Sequence, residues 1–172
     1  MNVVIETKRL KLHATTIADA ELLLAVWNDP DFIRNVADRG IRTVEQARDA
    51  IQNGAEEMFA EYGYGPYCVS LKADESMIGI CGIFRREILA DPDIGFGLLP
   101  AFCGQGYALE AARAVIEYAR ETLNLTVLNA IVSPGNAPSR KLIEKLGLNF
   151  ERMIAMSDDE ESICLYSMAL AD

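Results

Sequence analysis

Two glycines at the start of a helix, Gly104 and Gly106, have the spacing that most directly indicates chemistry in this sequence. A strand-like apolar run ends at Pro100, and an amphipathic helix begins at Tyr107. The first N–H groups of a helix have no intrahelical partner, and the peptide dipoles add about half a positive charge there. Because glycines leave those N–H groups uncovered, the segment predicts a phosphate or pyrophosphate site. The alternative from the residues alone is a tight turn in which glycine supplies a positive φ.

Two common phosphate-binding signatures do not fit this segment. The sequence lacks the P-loop string of Gly, four residues, Gly, Lys and then Ser or Thr. A dinucleotide fold needs a third glycine where Leu109 stands, and an acidic residue at the end of the next strand, which ends in Ser133. Both nucleotide interpretations therefore fail at named positions.

The elements around the glycines must hold them at the end of a strand. Alternation and turn residues predict the order β-α-α-β-β-β-α-β-α-β-β, a mixed sheet with helices on both faces, which ends in a hairpin around SDDEE. Thr16 caps the first predicted helix, Thr43 caps the second, and Gly63 ends the second. Short connections predict antiparallel pairing of the three middle strands. Gly95 and Gly97 either form a bulge that splays their strand from its neighbour or are small residues beneath a packed helix.

The sequence resembles the GNAT acetyltransferase superfamily, in particular the branch that contains acetyltransferases of ribosomal-protein N-termini. The resemblance covers nearly the whole chain and rests on the segments ETKRLKL, WNDPDFIRNVADRGIRTVEQA, IGICGIFRRE, DPDIGFGLLPAFCGQGYALEAARAVIEYA and SPGNAPSRKLIEKLGLNFER. The pyrophosphate signature of the superfamily falls on residues 103–108. Gly106 and Ala108 fit it, whereas Cys103 stands where Arg or Gln is usual. Since such a loop binds through backbone amides, we expect Cys103 to change the affinity only modestly.

The resemblance implies a fold and a co-substrate. The implied fold is α+β (mixed α/β), a splayed, mostly antiparallel mixed sheet of about seven strands with helices on both faces, in a single domain over residues 1–172. The implied co-substrate is acetyl-coenzyme A (acetyl-CoA), with the pantetheine arm along the strand and the diphosphate on the loop. The residues assigned to coenzyme binding are Gly97, Leu98, Leu99, Cys103, Gly104, Gln105, Gly106, Tyr107, Ala108, Asn136 and Ser139.

Two residues are candidates for proton transfer and hydrogen bonding at the reacting atoms. Many GNAT enzymes carry a tyrosine acid where Ile143 stands, whereas Ser139 matches a variant whose hydroxyl donates a hydrogen bond near the coenzyme sulfur. Asp93 is the candidate base that takes a proton from the acceptor amine, and the alternative is an exposed carboxylate at the start of a strand. Asn136 caps the predicted helix in the segment SPGNAPSRKLIEKLGLNF, and the resemblance adds a contact between its side chain and the pantetheine arm.

The activity implied by the resemblance is transfer of acetyl from acetyl-CoA to a primary amine by direct attack in a ternary complex. A non-catalytic, coenzyme-A-binding regulatory module is the alternative. The acceptor stays open among a protein N-terminus, an amino acid, a polyamine and an aminoglycoside. Arg34, Arg39 and Arg42 lie between the first two predicted helices, where they hold a carboxylate, steady the loop or are simply solvated loop charges, which is the default interpretation.

Composition limits the partners and the compartment. Sixteen basic and 26 acidic residues give the 172-residue chain a net charge of −10, which argues against nucleic acid and anionic membranes as partners. Four cysteines form no C-x-x-C pair and His13 is the one histidine, so we expect no metal site. The N-terminus does not resemble a signal peptide, and we expect a cytoplasmic protein with reduced thiols. The choice between a monomer and a homodimer stays open.

Overall fold

Eight strands form one open sheet in the computed structural model, which describes residues 2–158 and 161–171. In chain order the strands are β1 (Val3–Glu6), β2 (Leu10–Ala14), β3 (Pro66–Leu71), β4 (Met77–Phe84), β5 (Asp93–Leu98), β6 (Val127–Val132), β7 (Asn149–Ile154) and β8 (Ile163–Ala169). Their order across the sheet is β1-β2-β3-β4-β5-β6-β8-β7. Neighbouring strands are antiparallel except for β5 and β6, which are parallel. The mixed, mostly antiparallel sheet predicted from the sequence is therefore confirmed.

The strand that the sequence prediction lacked is β1, which forms a hairpin with β2. Ile5 is the buried residue of this short strand, so β1 has no alternating pattern that would have revealed it. At the other end of the chain β7 and β8 form the predicted hairpin. Asp159 and Glu160, within the SDDEE connection, lie outside the described residues.

The described residues contain six α-helices: α1 (Ala20–Trp27), α2 (Pro30–Asn35), α3 (Val44–Ala50), α4 (Glu57–Tyr62), α5 (Tyr107–Glu121) and α6 (Ala137–Lys145). A π-helical turn, Ile51–Glu56, joins α3 to α4, so the second predicted helix is continuous but not uniform. Thr43 and Gln46 form a capping box at its start, and Gly63 ends it with a φ of 75°. Each of these helices is too short or too polar to cross a membrane.

Helices cover both faces of the sheet. On one face α5 buries a stripe of small and branched residues, namely Ala111, Ala112, Val115, Ile116 and Ala119. On the other face α1, α3 and the π-helical turn form a second core with two sheet residues, comprising Ala20, Leu23, Val26, Trp27, Ala47, Ile51, Ala55, Cys68 and Ile80. The helices on both faces fix the position of β5 between them.

Strands β5 and β6 separate soon after they meet. Asp93 and Asn129 form the one register pair between them, and the Asn129 N–H donates to the Pro92 carbonyl at 2.9 Å. Beyond this point the two strands diverge, which leaves one edge of β5 open. This is the splay that the resemblance implied.

The glycines of β5 do not form a bulge with β4. The β4–β5 register is continuous from Phe84 opposite Asp93 to Gly79 opposite Leu98. A Cβ on Gly97 would lie 3.3 Å from the Val26 side chain of α1. The second interpretation, a small residue beneath a packed helix, therefore accounts for Gly97.

Candidate active site

The glycine loop (residues 103–108) connects β5 to α5 through two left-handed residues. A 3₁₀ turn at Pro100–Phe102 follows β5, and then Gly104 adopts a φ of 75°. Gly106, the N-cap of α5, adopts a φ of 81°. A residue with a Cβ would be strained by about 1–2 kcal/mol in this region, so the backbone itself favours both glycines.

The glycine loop presents unpaired backbone donors to the solvent. Within residues 2–158 and 161–171, the N–H groups of residues 104–109 have no hydrogen-bond acceptor, and the Glu110 N–H is the first that does, donating to the Gly106 carbonyl at 3.1 Å. Residues 104–106 are exposed. The Gln105 side chain donates to the Ala101 carbonyl at 3.0 Å. A row of such N–H groups at the start of a 15-residue helix has the donors and the dipole that can bind a phosphate group.

A side-chain network from the β1–β2 hairpin holds the glycine loop. Glu110 accepts hydrogen bonds from Arg9 Nε at 2.6 Å, the Arg9 N–H at 2.8 Å and the Thr7 hydroxyl at 2.6 Å. Arg9 also donates to the Gln105 carbonyl at 3.1 Å and lies over the Tyr107 ring. Burial raises the pKa of the Glu110 carboxyl, but the hydrogen bonds from Thr7 and Arg9 outweigh it and hold that pKa below its usual range. The Glu110 charge is therefore paired with Arg9 and repels a bound anion less.

Strand β5 offers peptide groups along its open edge. The Leu99 N–H donates to the Ile78 carbonyl of β4 at 2.8 Å. Because the peptide groups of a strand alternate in direction, those of Gly97 also face β4, whereas those of Leu98 face the gap beside β6. Of the three predicted strand contacts, Leu98 is the one whose backbone is directed to the gap.

A central cavity of about 620 Å³ opens where β5 and β6 part. The Ser133 hydroxyl after β6 donates to the Asn35 carbonyl of α2 at 2.9 Å, which links the two sides of the cavity. The lining combines residues from α1, α2, the α2–α3 loop, β4, β5 and α6, among them Trp27, Phe32, Arg39, Phe84, Arg86, Asp93, Phe96, Asn136 and Ser139. The two predicted catalytic residues, Asp93 and Ser139, therefore line the same cavity.

Asp93 is a buried carboxylate with one oxygen uncommitted. Its residue exposure is 1%, so it is not the exposed strand-start carboxylate that the alternative interpretation described. Oδ1 accepts from Arg86 Nε at 2.9 Å, whereas the buried Oδ2 has no partner among the described residues. Burial raises the pKa of the Asp93 carboxyl above its usual range, and the Arg86 guanidinium offsets part of this rise.

The comparisons with known proteins agree with this geometry. A family model described as "Acetyltransferase (GNAT) domain" matches residues 9–149. The chain belongs to the GNAT acetyltransferase family. An uncharacterized N-acetyltransferase of Bacillus licheniformis called p20 is 31% identical over 149 residues, which cover 86% of this chain and 83% of p20.

Solved structures of acetyltransferases share the GNAT fold. One from Agrobacterium tumefaciens superposes with a TM-score of 0.80 at 26% identity, covering 98% of this chain and 94% of the other. RimL, a ribosomal-protein acetyltransferase in complex with coenzyme A, superposes with a TM-score of 0.82 at 17% identity and covers 98% of each chain. The family and the relatives named N-acetyltransferases support an acetyl-CoA-dependent acyltransferase, so the enzyme interpretation is confirmed.

Cys103 departs from the GNAT signature, and its side chain turns back toward the strand. Its Sγ lies 3.9 Å from the Leu98 carbonyl oxygen and 3.7 Å from that of Leu99. Partial burial, followed by the charges of Asp29 and Asp31, raises the pKa of the Cys103 thiol. The side chain is therefore a neutral thiol that leaves the backbone donors of the glycine loop uncovered.

Helix α6 carries the second departure from the pattern of the GNAT family. Ile143, where many GNAT enzymes have a tyrosine, is buried and lines the central cavity. Asn136 caps the helix, since its side-chain oxygen accepts from the Ser139 N–H at 3.4 Å. The Ser139 side chain thus supplies a hydroxyl to the α6 wall of the GNAT cavity.

The three arginines between the first two predicted helices have different environments. Arg34 pairs with an aspartate three positions earlier, and Arg42 donates to Asp38 at 2.8 Å, so both steady the local backbone. Arg39 instead lies over the Trp27 ring, 4.2 Å from its centroid, and lines the central cavity.

His13 belongs to a buried group that does not line the cavity. Its Nε2 lies 3.0 Å from Asp19 Oδ1, and the Cys68 thiol joins them in a group whose ligand atoms all lie within 4.8 Å of one another. Burial raises the pKa of the Cys68 thiol far above its usual range. The sequence analysis did not foresee this grouping, because three separate elements bring the residues together.

Sequence reasoning missed Arg9, Glu110 and Arg86 as parts of the site. Arg9 and Glu110 are 101 residues apart, and no local pattern indicates that they meet. Arg86 and Asp93 are seven residues apart across the short β4–β5 connection. The antiparallel pairing predicted for these strands was a usable signal for that pair.

Proposed function

We propose that this GNAT protein transfers the acetyl group of acetyl-CoA directly to a primary amine in a ternary complex, without an acyl-enzyme. The observation that carries the proposal is the single cavity that contains Asp93 and Ser139 and lies along β5, the strand that leads into the glycine loop. Co-substrate and acceptor would thus meet at the open edge of one strand.

The glycine loop holds the diphosphate of acetyl-CoA through the backbone of Cys103, Gly104, Gln105, Gly106, Tyr107 and Ala108. The unpaired N–H groups and the positive end of the α5 dipole support this assignment. The pantetheine arm runs along β5, where Leu98 pairs with it while Gly97 and Leu99 form the flanking backbone. Asn136 contacts the arm from α6.

Asp93 takes the proton that the amine must lose before it attacks. Its uncommitted Oδ2 is the acceptor atom, burial makes the carboxylate a stronger base, and Arg86 favours the ionised form. The amine nitrogen then bonds to the thioester carbon, and the carbon–sulfur bond breaks. The second proton, which the nitrogen loses as the amide forms, passes to water and replaces the one that water gives to the thiolate. A strand amide near Leu98 polarises the carbonyl.

Ser139 donates a hydrogen bond to the departing thiolate, which takes its proton from water. A serine hydroxyl is a weak acid, so its role is to stabilise the developing charge and not to protonate sulfur. Most of the acceleration then comes from positioning the amine against the thioester in the central cavity.

The test is acceptor-dependent release of free thiol from acetyl-CoA, with an amino acid, an amino-acid amide, a polyamine and a peptide as acceptors. Direct transfer predicts that thiol release requires the amine and that the acetylated amine forms in equal amount. Intact-protein mass spectrometry after incubation with acetyl-CoA alone should show the unmodified mass. Stoichiometric acetylation of the protein would overturn direct transfer, and thiol release that no amine accelerates would overturn the proposed function.

A further inference from the structure

Arg39 is a cation in the central cavity without a carboxylate partner. Its guanidinium carbon lies 4.2 Å from the Trp27 ring centroid, on the α2–α3 side of the cavity. The structure records neither an ion pair nor a hydrogen bond from its side chain to any residue within 2–158 and 161–171. A guanidinium stacked on an aromatic face keeps N–H donors in its plane for a ligand.

The neighbouring charge is also positive. Arg86 lines the same cavity and gives its Nε–H to Asp93. Although Arg39 as a residue is exposed, partial burial of its guanidinium lowers the pKa of that group, and the positive charge of Arg86 lowers it further. Two carboxylates, Asp93 and Glu161, also line the cavity, and within residues 2–158 and 161–171 neither is paired with Arg39.

Most of the residues that line the cavity are apolar. Four of them are aromatic, namely Trp27, Phe32, Phe84 and Phe96. These side chains fit an apolar group of the acceptor.

We propose that Arg39 binds the carboxylate of the acceptor, and that the acceptor is an amino acid with an apolar side chain. This inference rests on the proposed function of the same cavity. Arg39 and Asp93 line the same cavity, and Arg86, which donates to Asp93, lines it as well. The two ends of an amino acid, its carboxylate at Arg39 and its amine at Asp93, would therefore bind within one cavity.

The kinetic test compares L-leucine with L-leucinamide, which differ by the carboxylate, and adds spermidine as a polycation. The variants are Arg39→Gln and Arg39→Lys, with Arg34→Gln as the matched control because Arg34 is exposed and paired outside the cavity. We expect Arg39→Gln to lower the leucine-to-leucinamide ratio of kcat/KM by about 10–100-fold, the value of one charge-assisted hydrogen-bonded contact. When the ratio for the variant is divided by the ratio for the wild type, the difference in intrinsic reactivity between the two amines cancels. Arg39→Lys should lower the leucine-to-leucinamide ratio less than Arg39→Gln does, and Arg34→Gln should leave this ratio at the wild-type value.

A second readout does not need catalysis. Trp27 is the one tryptophan of the chain, so a carboxylate that binds the guanidinium above it should change its fluorescence. With coenzyme A present, leucine should produce a saturable change in the wild type and in Arg34→Gln, whereas leucinamide should not. The same change should be absent in Arg39→Gln.

The outcomes separate this inference from the proposed function. Transfer to spermidine or leucinamide at least as fast as to leucine, with a ratio unaffected by Arg39→Gln, would overturn the role of Arg39 and leave the acetyltransferase intact. If no amine supports thiol release, the proposed function fails, and leucine-specific fluorescence that depends on Arg39 would still support the carboxylate site. A loss in Arg39→Gln that is equal for leucine and leucinamide would show a structural role and contradict the inference.

Discussion

The glycine loop and the central cavity would present different groups to the ligands in the proposed mechanism, namely backbone N–H groups in the loop and side chains in the cavity. The loop depends on positive φ at Gly104 and Gly106, and residues 103–108 include no charged side chain. The cavity combines two carboxylates and two guanidiniums that come from β5, the β7–β8 connection, the β4–β5 connection and the α2–α3 loop. On the proposed mechanism, co-substrate binding should tolerate side-chain changes such as Cys103, whereas the choice and activation of the acceptor should depend on single side chains.

The largest expected effect comes from the cavity. Asp93→Asn removes the base, and kcat/KM should fall by about 10²–10⁴-fold, the usual contribution of general base catalysis. Its Kd for coenzyme A should stay at the wild-type value, since the glycine loop is unchanged. Thiol-release kinetics and a calorimetric titration measure the two quantities. Asp91→Asn is the control, and activity of Asp93→Asn equal to that of this control would remove Asp93 from the mechanism.

The pH dependence of kcat/KM and of stability gives a second test of Asp93 as the base. Burial, opposed in part by Arg86, raises the pKa of Asp93, so kcat/KM should rise with pH through that raised pKa as the carboxylate forms. A raised pKa in the folded state also means that the contribution of Asp93 to the free energy of unfolding is greatest at acidic pH and is lost as the pH rises through that pKa. Urea unfolding across pH checks the second effect. Both trends should be absent from Asp93→Asn, and their persistence there would assign them to another group.

In the glycine loop, removal of one supporting side chain should have a smaller effect. Arg9→Gln removes the two side-chain bonds of Arg9, to Glu110 and to the Gln105 carbonyl, which leaves the loop less ordered. Because this ion pair is partly exposed, we expect coenzyme A to bind only about two- to tenfold more weakly. Lys8→Gln serves as the exposed neighbouring control in the same titration. Equal affinities for the two variants would show that the loop holds its shape without Arg9.

The smallest expected effect is at Cys103. Cys103→Gln restores a residue that the GNAT signature prefers, while the backbone donors stay as they are. The Kd for coenzyme A should therefore change by no more than about threefold, which is well below the effect of losing one hydrogen bond to a charged group. A loss of binding in this variant would contradict the claim that the loop binds through its backbone.

The same comparison explains how much of the molecule could be predicted. The glycine loop lies within six consecutive residues, so its unpaired N–H groups, the basis of the proposed anion site, could be predicted from Gly104, Gly106 and the helix pattern after them. The cavity is assembled from distant segments. The sequence indicated Asp93 and Ser139 only through a resemblance, and it could not distinguish Arg39 from Arg34, because the difference is which side chain lies over Trp27.

Parts of the fold were hidden for related reasons. Strand β1 has a single buried residue, Ile5, and thus no alternation. The Arg9–Glu110 pair depends on how the β1–β2 hairpin packs against α5, which no local pattern encodes. The antiparallel middle strands and the splay were predictable, because they follow from short connections and from the family signature.

One measurement tests the central claim most directly: calorimetric titration of wild type, Gly106→Ala and Gly63→Ala with coenzyme A and with pantetheine, which lacks the diphosphate. Both glycines have positive φ, but Gly63 ends α4 and is not part of the glycine loop. Alanine at position 106 relieves about 1–2 kcal/mol of strain by leaving the left-handed region, which turns the N–H groups away. We predict that coenzyme A binds the wild type far more tightly than pantetheine does, and that Gly106→Ala weakens coenzyme A by about tenfold, equivalent to about 1.4 kcal/mol, without affecting pantetheine. Equal affinities of the wild type for both ligands, or equal weakening of coenzyme A in the two variants, would contradict the account.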